Sequence, residues 1–312
     1  MTPPKQDTAT APPARTMHNF DYAAPVSLQD ALKLLAESNT AARPLAGGTD
    51  LIDQMRTGRL SPELVVDVKR IPELNVLEVS DSGLRLGAAV PCCRIYESQR
   101  LSREHSALAE SCRIIGGVQI QSRASVGGNL CNSGPAADST PSLIALQAAC
   151  VIAGINGARE VPVEEFCTGP GKNVLQPGEL LVELRLPPRL PFSGSHYRRF
   201  IPRNEMDIAV VGVGVSVTLD AAKQTIVAAR IALGAVGPTP IFAADAAQSL
   251  VGQPPNEAAV RKAAEAAKAV ANPIDDMRGT AEFRRHITGV LTQRVLKTAI
   301  ARAQSEDEGS NH

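Results

Sequence analysis

Tryptophan is absent from the 312 residues, and aromatic residues make up only 3%. A platform that stacks nucleobases needs aromatic rings, so single-strand nucleic-acid binding is a poor fit. There is no surplus of charge either: 32 Lys+Arg balance 32 Asp+Glu, whereas binders of nucleic acid or anionic membrane carry a basic excess. No apolar run approaches the ~18 residues of a membrane span; the densest stretch, Ala209 to Val217, has the length of a strand. The start, MTPPKQDTATAPPART, lacks the charged-then-apolar pattern of a secretory leader. Its Pro/Ala/Thr composition predicts a disordered lead over residues 1–17. The six cysteines, Cys92, Cys93, Cys112, Cys131, Cys150 and Cys167, form no CxxC pair and no cluster with zinc or iron–sulfur spacing. A chain this long does not need disulfides, so the expectation is free thiols, a reducing compartment and a cytoplasmic location.

What is present reads as an ordinary globular chain, 44% hydrophobic and 21% charged. A chain of this size buries roughly three quarters of its extended surface, enough for two cores. Ser27 followed by Asp30 predicts a helix N-terminus, with Leu28, Ala31, Leu32 and Leu35 at helical spacing. Strands are expected at 64–68, 84–88, 150–153 and 180–186, and helices at 94–99, 102–115 and 141–149. Pro187-Pro188-Arg189-Leu190-Pro191 can continue neither a helix nor a central strand, and marks a domain boundary. Beyond it, three strand patterns (197–200, 208–219, 226–233) precede three helical ones (243–251, 256–271, 281–303), the order of an α+β domain. A polar tail over 304–312 is expected to fray.

Two double-glycine loops carry the chemistry. One is Leu45-Ala46-Gly47-Gly48-Thr49-Asp50; the other is Ala124-Ser125-Val126-Gly127-Gly128-Asn129. Glycine lets a backbone approach a ligand closely, and successive amides can converge on an anion. Thr49, Ser125 and Asn129 add side-chain donors. Either pair alone is also an ordinary turn signal; together, with matched donors, they suit a diphosphate. Neither is a GxGxxG fingerprint or a P-loop. Asp138, before Ser139-Thr140-Pro141, reads either as a helix N-cap or as an acceptor for ribose or ribityl hydroxyls.

These segments, with Pro135-Ala136-Ala137-Asp138, Pro177-Gly178-Glu179-Leu180-Leu181 and Asn272-Pro273-Ile274-Asp275-Asp276-Met277-Arg278-Gly279, resemble the FAD-binding signatures of the molybdenum hydroxylases. The likeness, from about Phe20 to about Ala303, is to the stand-alone flavoprotein (medium) subunit of carbon monoxide dehydrogenases and bacterial xanthine dehydrogenases. It implies an α+β fold: an FAD-binding domain of the vanillyl-alcohol-oxidase (PCMH) type over 18–188, in two subdomains of about 18–72 and 73–188. A small α+β C-terminal domain over 192–303 follows. By the same resemblance, Leu45 to Asp50 would wrap the diphosphate and adenine side, and Ser125, Gly128 and Asn129 the diphosphate and ribityl chain. Asp138 would bind flavin hydroxyls, Leu181 and Arg199 would lie near the isoalloxazine end, and Ile115 and Gly116 would line the ring. Ile120, Ala124, Gly127, Cys131, Asn132, Ala137 and Ile208 complete the implied cofactor site.

The chain departs from family patterns in places. Ile115 stands where mammalian-type xanthine dehydrogenases put a Phe against the flavin. Ile208, in Arg203-x-x-x-Asp207-Ile208-Ala209, replaces the Tyr of some carbon monoxide dehydrogenase-type members. The four-cysteine iron–sulfur insertion of benzoyl-CoA-reductase-type subunits has no counterpart. The resemblance implies partner subunits carrying molybdopterin-bound molybdenum and [2Fe–2S] clusters. Electrons would then pass through this FAD to NAD⁺, a quinone or oxygen. No catalytic residue or bound metal is expected on this chain, and His105, His196 and His286 are expected to be structural or at the surface. Two other readings stand beside this one. A self-sufficient FAD-dependent oxidase of the same fold would turn over unaided, and a flavin-free scaffold would be colourless.

Overall fold

The computed structural model describes residues 17–38 and 41–305. The expected lead, apart from Met17, and residues 306–312 of the expected tail lie outside the described residues.

The chain opens with a small parallel sheet. Strands β1 (Asp21–Ala23), β2 (Ala42–Leu45) and β3 (Leu64–Asp67) lie in the order β1-β3-β2, both pairs parallel. Parallel neighbours need crossover connections, supplied by helices α1 (Leu28–Glu37) and α2 (Leu51–Arg56). The Ser27 side chain accepts the Asp30 amide, as its sequence position predicts, and α1 buries Ala31, Leu32 and Leu35. These pack with Val66, Val68, Ile71 and Leu74 into a first core.

A five-stranded antiparallel sheet follows, ordered β4-β5-β10-β6-β7. Its strands are β4 (Leu77–Ser80), β5 (Gly83–Gly87), β6 (Ala149–Gly154), β7 (Gly157–Pro162) and β10 (Leu180–Leu186). A short ribbon of β8 (Cys167–Gly169) and β9 (Lys172–Asn173) follows the one-turn helix α9 (Val163–Phe166). Between β5 and β6 run five short helices, α3 (Cys92–Glu97), α4 (Gln99–Glu104), α5 (Ser106–Ile114), α6 (Val118–Gln121) and α7 (Val126–Cys131), and then α8 (Ser139–Ala145). Their apolar faces and the sheet form a second core around Leu86, Ile95, Leu108, Leu130 and Phe166. Leu180 and Val182 of central strand β10 belong to the first core, while Leu181 and Leu184 belong to the second. Alternate residues of one strand thereby bury against both units.

The last unit is a four-stranded antiparallel sheet, β11 (Ser193–Phe200), β12 (Val211–Leu219), β13 (Ile226–Gly234) and β14 (Ile241–Phe242), in sequential order. Three helices cover it: α10 (Ala244–Gln248), α11 (Glu257–Val270) and α12 (Ala281–Gln304). Val213, Val215, Ile231, Val295 and Ala299 lie in its core. The sheet docks on α5 and α8. The Ser216 hydroxyl donates to the Ala145 carbonyl at 2.6 Å, and Arg230 Nε to the Ile144 carbonyl at 2.8 Å. Glu110 of α5 accepts from His196 Nδ1 (2.8 Å), the Tyr197 amide (2.9 Å) and Arg302 of α12 (2.6 Å).

Four local differences from the sequence expectations have physical causes. The helix expected over 102–115 is two helices, broken at His105, because the second turns to place Ser106 and Glu110 against β11. The helix expected over 141–149 runs from Ser139 to Ala145; Gln147, at φ 57°, then turns the chain into β6. The second double-glycine segment is not a loop but the first turn of α7. At the carboxyl end, α12 continues through Gln304, one residue into the expected tail.

Candidate functional site

A cleft of about 610 Å³ opens where the first two units meet. One wall is the 43–51 segment with Gln54 of α2. The facing wall is Ile115, Ala124, Ser125 and the α7 turn through Asn132. The end is closed by Gly171, Asn173 and the 175–181 approach to β10.

The walls touch, and their chemistry explains how. A Cβ on Gly47 would sit 1.9 Å from the Arg123 carbonyl oxygen, so only glycine lets the two segments meet backbone to backbone. Gly48 adopts φ 77°, turning the chain from β2 into α2, where the Ile52 amide donates to its carbonyl. A side-chain bridge, Gln54 Nε2 to Asn132 Oδ1 at 3.0 Å, ties α2 to the end of α7.

The α7 turn presents donors. Ser125 caps it: its Oγ accepts the Gly128 amide at 3.1 Å, and its carbonyl accepts the Asn129 amide at 2.9 Å. The amides of Val126 and Gly127 stand too early in the helix for a helical acceptor. A Cβ on Gly128 would meet only Ser125 Oγ, at 3.1 Å, with open cleft otherwise. Asn129 Oδ1 accepts from the Ser139 amide and hydroxyl at 3.3 and 2.6 Å, which orients its amide group and leaves the Nδ2 hydrogens for whatever enters the cleft. Thr49 adds a hydroxyl and Arg43 a positive charge. This is a cradle for an extended, phosphate-bearing molecule: bare backbone at Gly128, amide and hydroxyl donors around it, and the apolar side chains of Ile115, Leu180 and Leu181 beside it.

Burial, with Asp53 beside it, holds the Asp50 carboxyl in the lining above its usual range. Burial and the neighbouring Cys167 push the Cys131 thiol up to about 12, so it stays protonated. Glu179, at the entrance, is held below the usual carboxylate range, chiefly by its hydrogen bond to Arg159.

Of the residues expected at the cofactor site, Ala46 to Asp50, Ile115, Ala124, Ser125, Gly127, Gly128, Asn129, Cys131, Asn132 and Leu181 line this cleft. Seven others lie outside its lining. Leu45 packs beside Gly48, and Gly116, at φ 58°, turns against Ile120. Ala137 is buried, and Ile208 is 52% exposed. Asp138 does not cap α8. Its two carboxylate oxygens accept from the Tyr197 hydroxyl (2.8 Å) and Arg199 Nη1 (2.6 Å), forming a buried junction with β11. Burial outweighs both donors and raises this carboxyl to about 6. Arg43, Gln54, Asn173 and Gln176 line the cleft without having been anticipated. For Gln54 the available signal was its place one helical turn after Leu51, on the same face of the helix that follows the first glycine pair.

Comparison with known proteins follows this geometry. Residues 18–189 match the family model for the FAD binding domain in molybdopterin dehydrogenase, and residues 196–299 the CO dehydrogenase flavoprotein C-terminal domain. The chain is 32% identical over 283 residues to the carbon monoxide dehydrogenase medium chain of Hydrogenophaga pseudoflava, covering 91% of this chain and 98% of that one. It is 34% identical over 290 residues to the xanthine dehydrogenase FAD-binding subunit of Escherichia coli O157:H7, covering 91% and 98%. Among solved structures, a carbon monoxide dehydrogenase from Hydrogenophaga pseudoflava, lacking the Mo-pyranopterin moiety of its cofactor, superposes with a TM-score of 0.88. The identity is 32%, with 92% of this chain and 99% of that one covered.

Proposed function

The chain belongs to the FAD-binding subunits of the molybdopterin dehydrogenases, and from that premise we propose that it is the electron outlet of a multi-subunit hydroxylase. It binds FAD and is an oxidoreductase subunit. In this reading a molybdenum-bearing partner oxidises the substrate, and [2Fe–2S] clusters of another partner deliver the electrons. NAD⁺, a quinone or oxygen then takes them from this chain. The observation that carries the reading is the glycine-floored cleft, where bare backbone at Gly128 faces open space flanked by Ser125, Asn129 and Thr49.

The residues present suit FAD. The α7 turn, Thr49 and Arg43 would hold the diphosphate, and Asn129 the polyol. Ile115 and Leu181 would give the ring an aliphatic wall. When bound, FAD supplies a store for two electrons that can be filled singly and emptied as a pair. The protein's part is to position it. The Asp138–Arg199–Tyr197 junction, outside the cleft lining, would fix the C-terminal sheet to the start of α8.

The test is an absorption spectrum of the purified chain, then acid release of the chromophore. Bands near ~370 and ~450 nm and release of FAD are expected. Anaerobic reduction followed by separate additions of NAD⁺, a quinone and oxygen then identifies the acceptor by which one reoxidises the protein. A colourless chain that takes up no added FAD would overturn the reading.

A further inference from the structure

The walls of the cleft meet on either side of α7. Gly47 lies against the Arg123 carbonyl just before that helix, and Gln54 bonds Asn132 just after it. The first contact is bare backbone. The second joins two primary amides, each with a donor end and an acceptor end. Two such groups can satisfy each other through a reciprocal pair of bonds. Among the described residues a single bond forms, from Gln54 Nε2 to Asn132 Oδ1 at 3.0 Å. Gln54 Oε1 is left as an acceptor and the Asn132 Nδ2 hydrogens are left as donors, on neighbouring side chains of the cleft wall.

Other side-chain amides of the lining are more fully committed. Asn173 donates to the Cys131 carbonyl (2.9 Å) and Ser133 Oγ (3.3 Å), and accepts the Leu175 amide (3.1 Å). Asn129 has its oxygen taken by Ser139. Apolar atoms flank the Gln54–Asn132 bridge. Leu51 stands one turn before Gln54 on α2, the Leu60 amide donates to the Gln54 carbonyl at 3.1 Å, and Cys131 precedes Asn132. All three line the cleft, and the Cys131 thiol is uncharged. Apolar side chains around a flat ring, with one acceptor and one donor at its edge, suit a nucleobase. The order of the polar groups chooses which base. Adenine presents an amino donor at N6 beside an acceptor at N1, the complement of Gln54 Oε1 and Asn132 Nδ2. Guanine presents the reverse, a carbonyl acceptor beside a ring N–H.

We infer that the Gln54–Asn132 bridge reads the adenine base of the dinucleotide, Gln54 Oε1 accepting from the amino group and Asn132 Nδ2 donating to N1. The inference rests on the cleft holding FAD, and it concerns the end of that cofactor opposite the flavin ring. Gln54 belongs to the first unit and Asn132 to the second, so each wall supplies one hydrogen bond to the base. A flavin mononucleotide, which lacks the base, forfeits both.

Titration of the flavin-stripped protein, followed by flavin fluorescence, tests it. The parent should bind FAD at least about thirtyfold more tightly than the flavin–guanine dinucleotide, because the guanine edge leaves both amide groups unpaired. Asn132→Asp separates reading from bracing. Its carboxylate still accepts from Gln54 Nε2, so the bridge between the walls survives, while the donor to N1 becomes an acceptor. The added charge opposes both dinucleotides alike, so the preference for FAD should fall to about one or invert. Gln54→Leu should cost FAD about tenfold more affinity than the guanine analogue. Equal binding of the two dinucleotides by the parent would overturn the inference, and so would an Asn132→Asp protein that keeps the parent's preference. Either result leaves FAD in the cleft. A parent that binds neither dinucleotide, or a Gly128→Val protein that binds FAD as the parent does, would instead remove FAD from the cleft and the inference with it.

Discussion

Gly47 and Gly128 line the same cleft for different reasons, and substitution separates them. Gly47 has a carbonyl 1.9 Å from where its Cβ would be, so Gly47→Ala forces two backbones apart. The expected cost is about 2 kcal/mol or more, read as a lower midpoint of denaturant unfolding. Gly128 has room for a side chain but only in the space a diphosphate would use. Gly128→Val should leave the unfolding midpoint of the apoprotein within about 0.5 kcal/mol of the parent while flavin content after purification falls at least about tenfold, a binding loss of about 1.4 kcal/mol. Full flavin occupancy in that variant would remove Gly128 from the site. His105 makes a different statement. Burial lowers its imidazole from 6.5 to about 4, so between those values the unfolded chain binds a proton that the folded chain does not. Stability should therefore fall as pH drops from about 6.5 to about 4, by up to about 3 kcal/mol from this residue. His105→Gln should flatten that part of the pH–stability curve; an unchanged slope would mean the folded imidazole titrates normally.

At the scale of the element, α7 is the piece whose form and use are least separable. Its six residues include two glycines, each disfavoured in a helix interior by about 1 kcal/mol. It persists because Ser125 caps it and because Val126 and Leu130 are buried in the second core. Ser125→Ala should cost about 1 kcal/mol of stability and weaken flavin binding together with it, measured by titrating the apoprotein with FAD. This element also marks where sequence reading reaches its limit. Residues 180–186, 226–233 and 256–271 announced themselves through unbroken apolar or amphipathic patterns, and the observed elements agree within a residue or so. Ser125-Val126-Gly127-Gly128 carries the composition of a turn, and only burial from distant chain makes it helical. Similarly, the exposed edge strand β7, Gly157–Pro162, has too little apolar pattern to be seen before its pairing with β6 is known. The same limit applies to the cleft. Donors and glycines were legible because ligand chemistry restricts residue type, whereas Gln54 and Asn173 enter only through tertiary placement. Asp138 read locally as a cap because nothing near it in sequence revealed that Tyr197 and Arg199 would reach it from some 60 residues away.

Across the whole molecule, Glu110 is one of the points where the last unit is fastened to the rest, beside Asp138 and the carbonyls of Ile144 and Ala145. Its carboxyl is held below the usual range by His196, Arg302 and the Tyr197 amide, acting against burial. Such a group contributes stability above the ordinary carboxylate pKa and loses it as pH falls through the lowered folded value. Glu110→Gln should weaken two charge-assisted hydrogen bonds, costing about 2 kcal/mol after allowance for partial exposure, and should lower the thermal midpoint of the C-terminal unit more than that of the first two. Coincident, unshifted transitions would show that the fastening lies elsewhere. The contact between Gly47 and Arg123 has a reach of its own. The two backbones belong to units whose cores are largely separate, so whatever occupies the cleft adheres to both at once. By mass action, FAD at about a hundred times its dissociation constant would add roughly 2.7 kcal/mol to the folded state in which both walls are in place. A chain with its cleft filled should therefore be cut more slowly in limited proteolysis than the same chain without flavin.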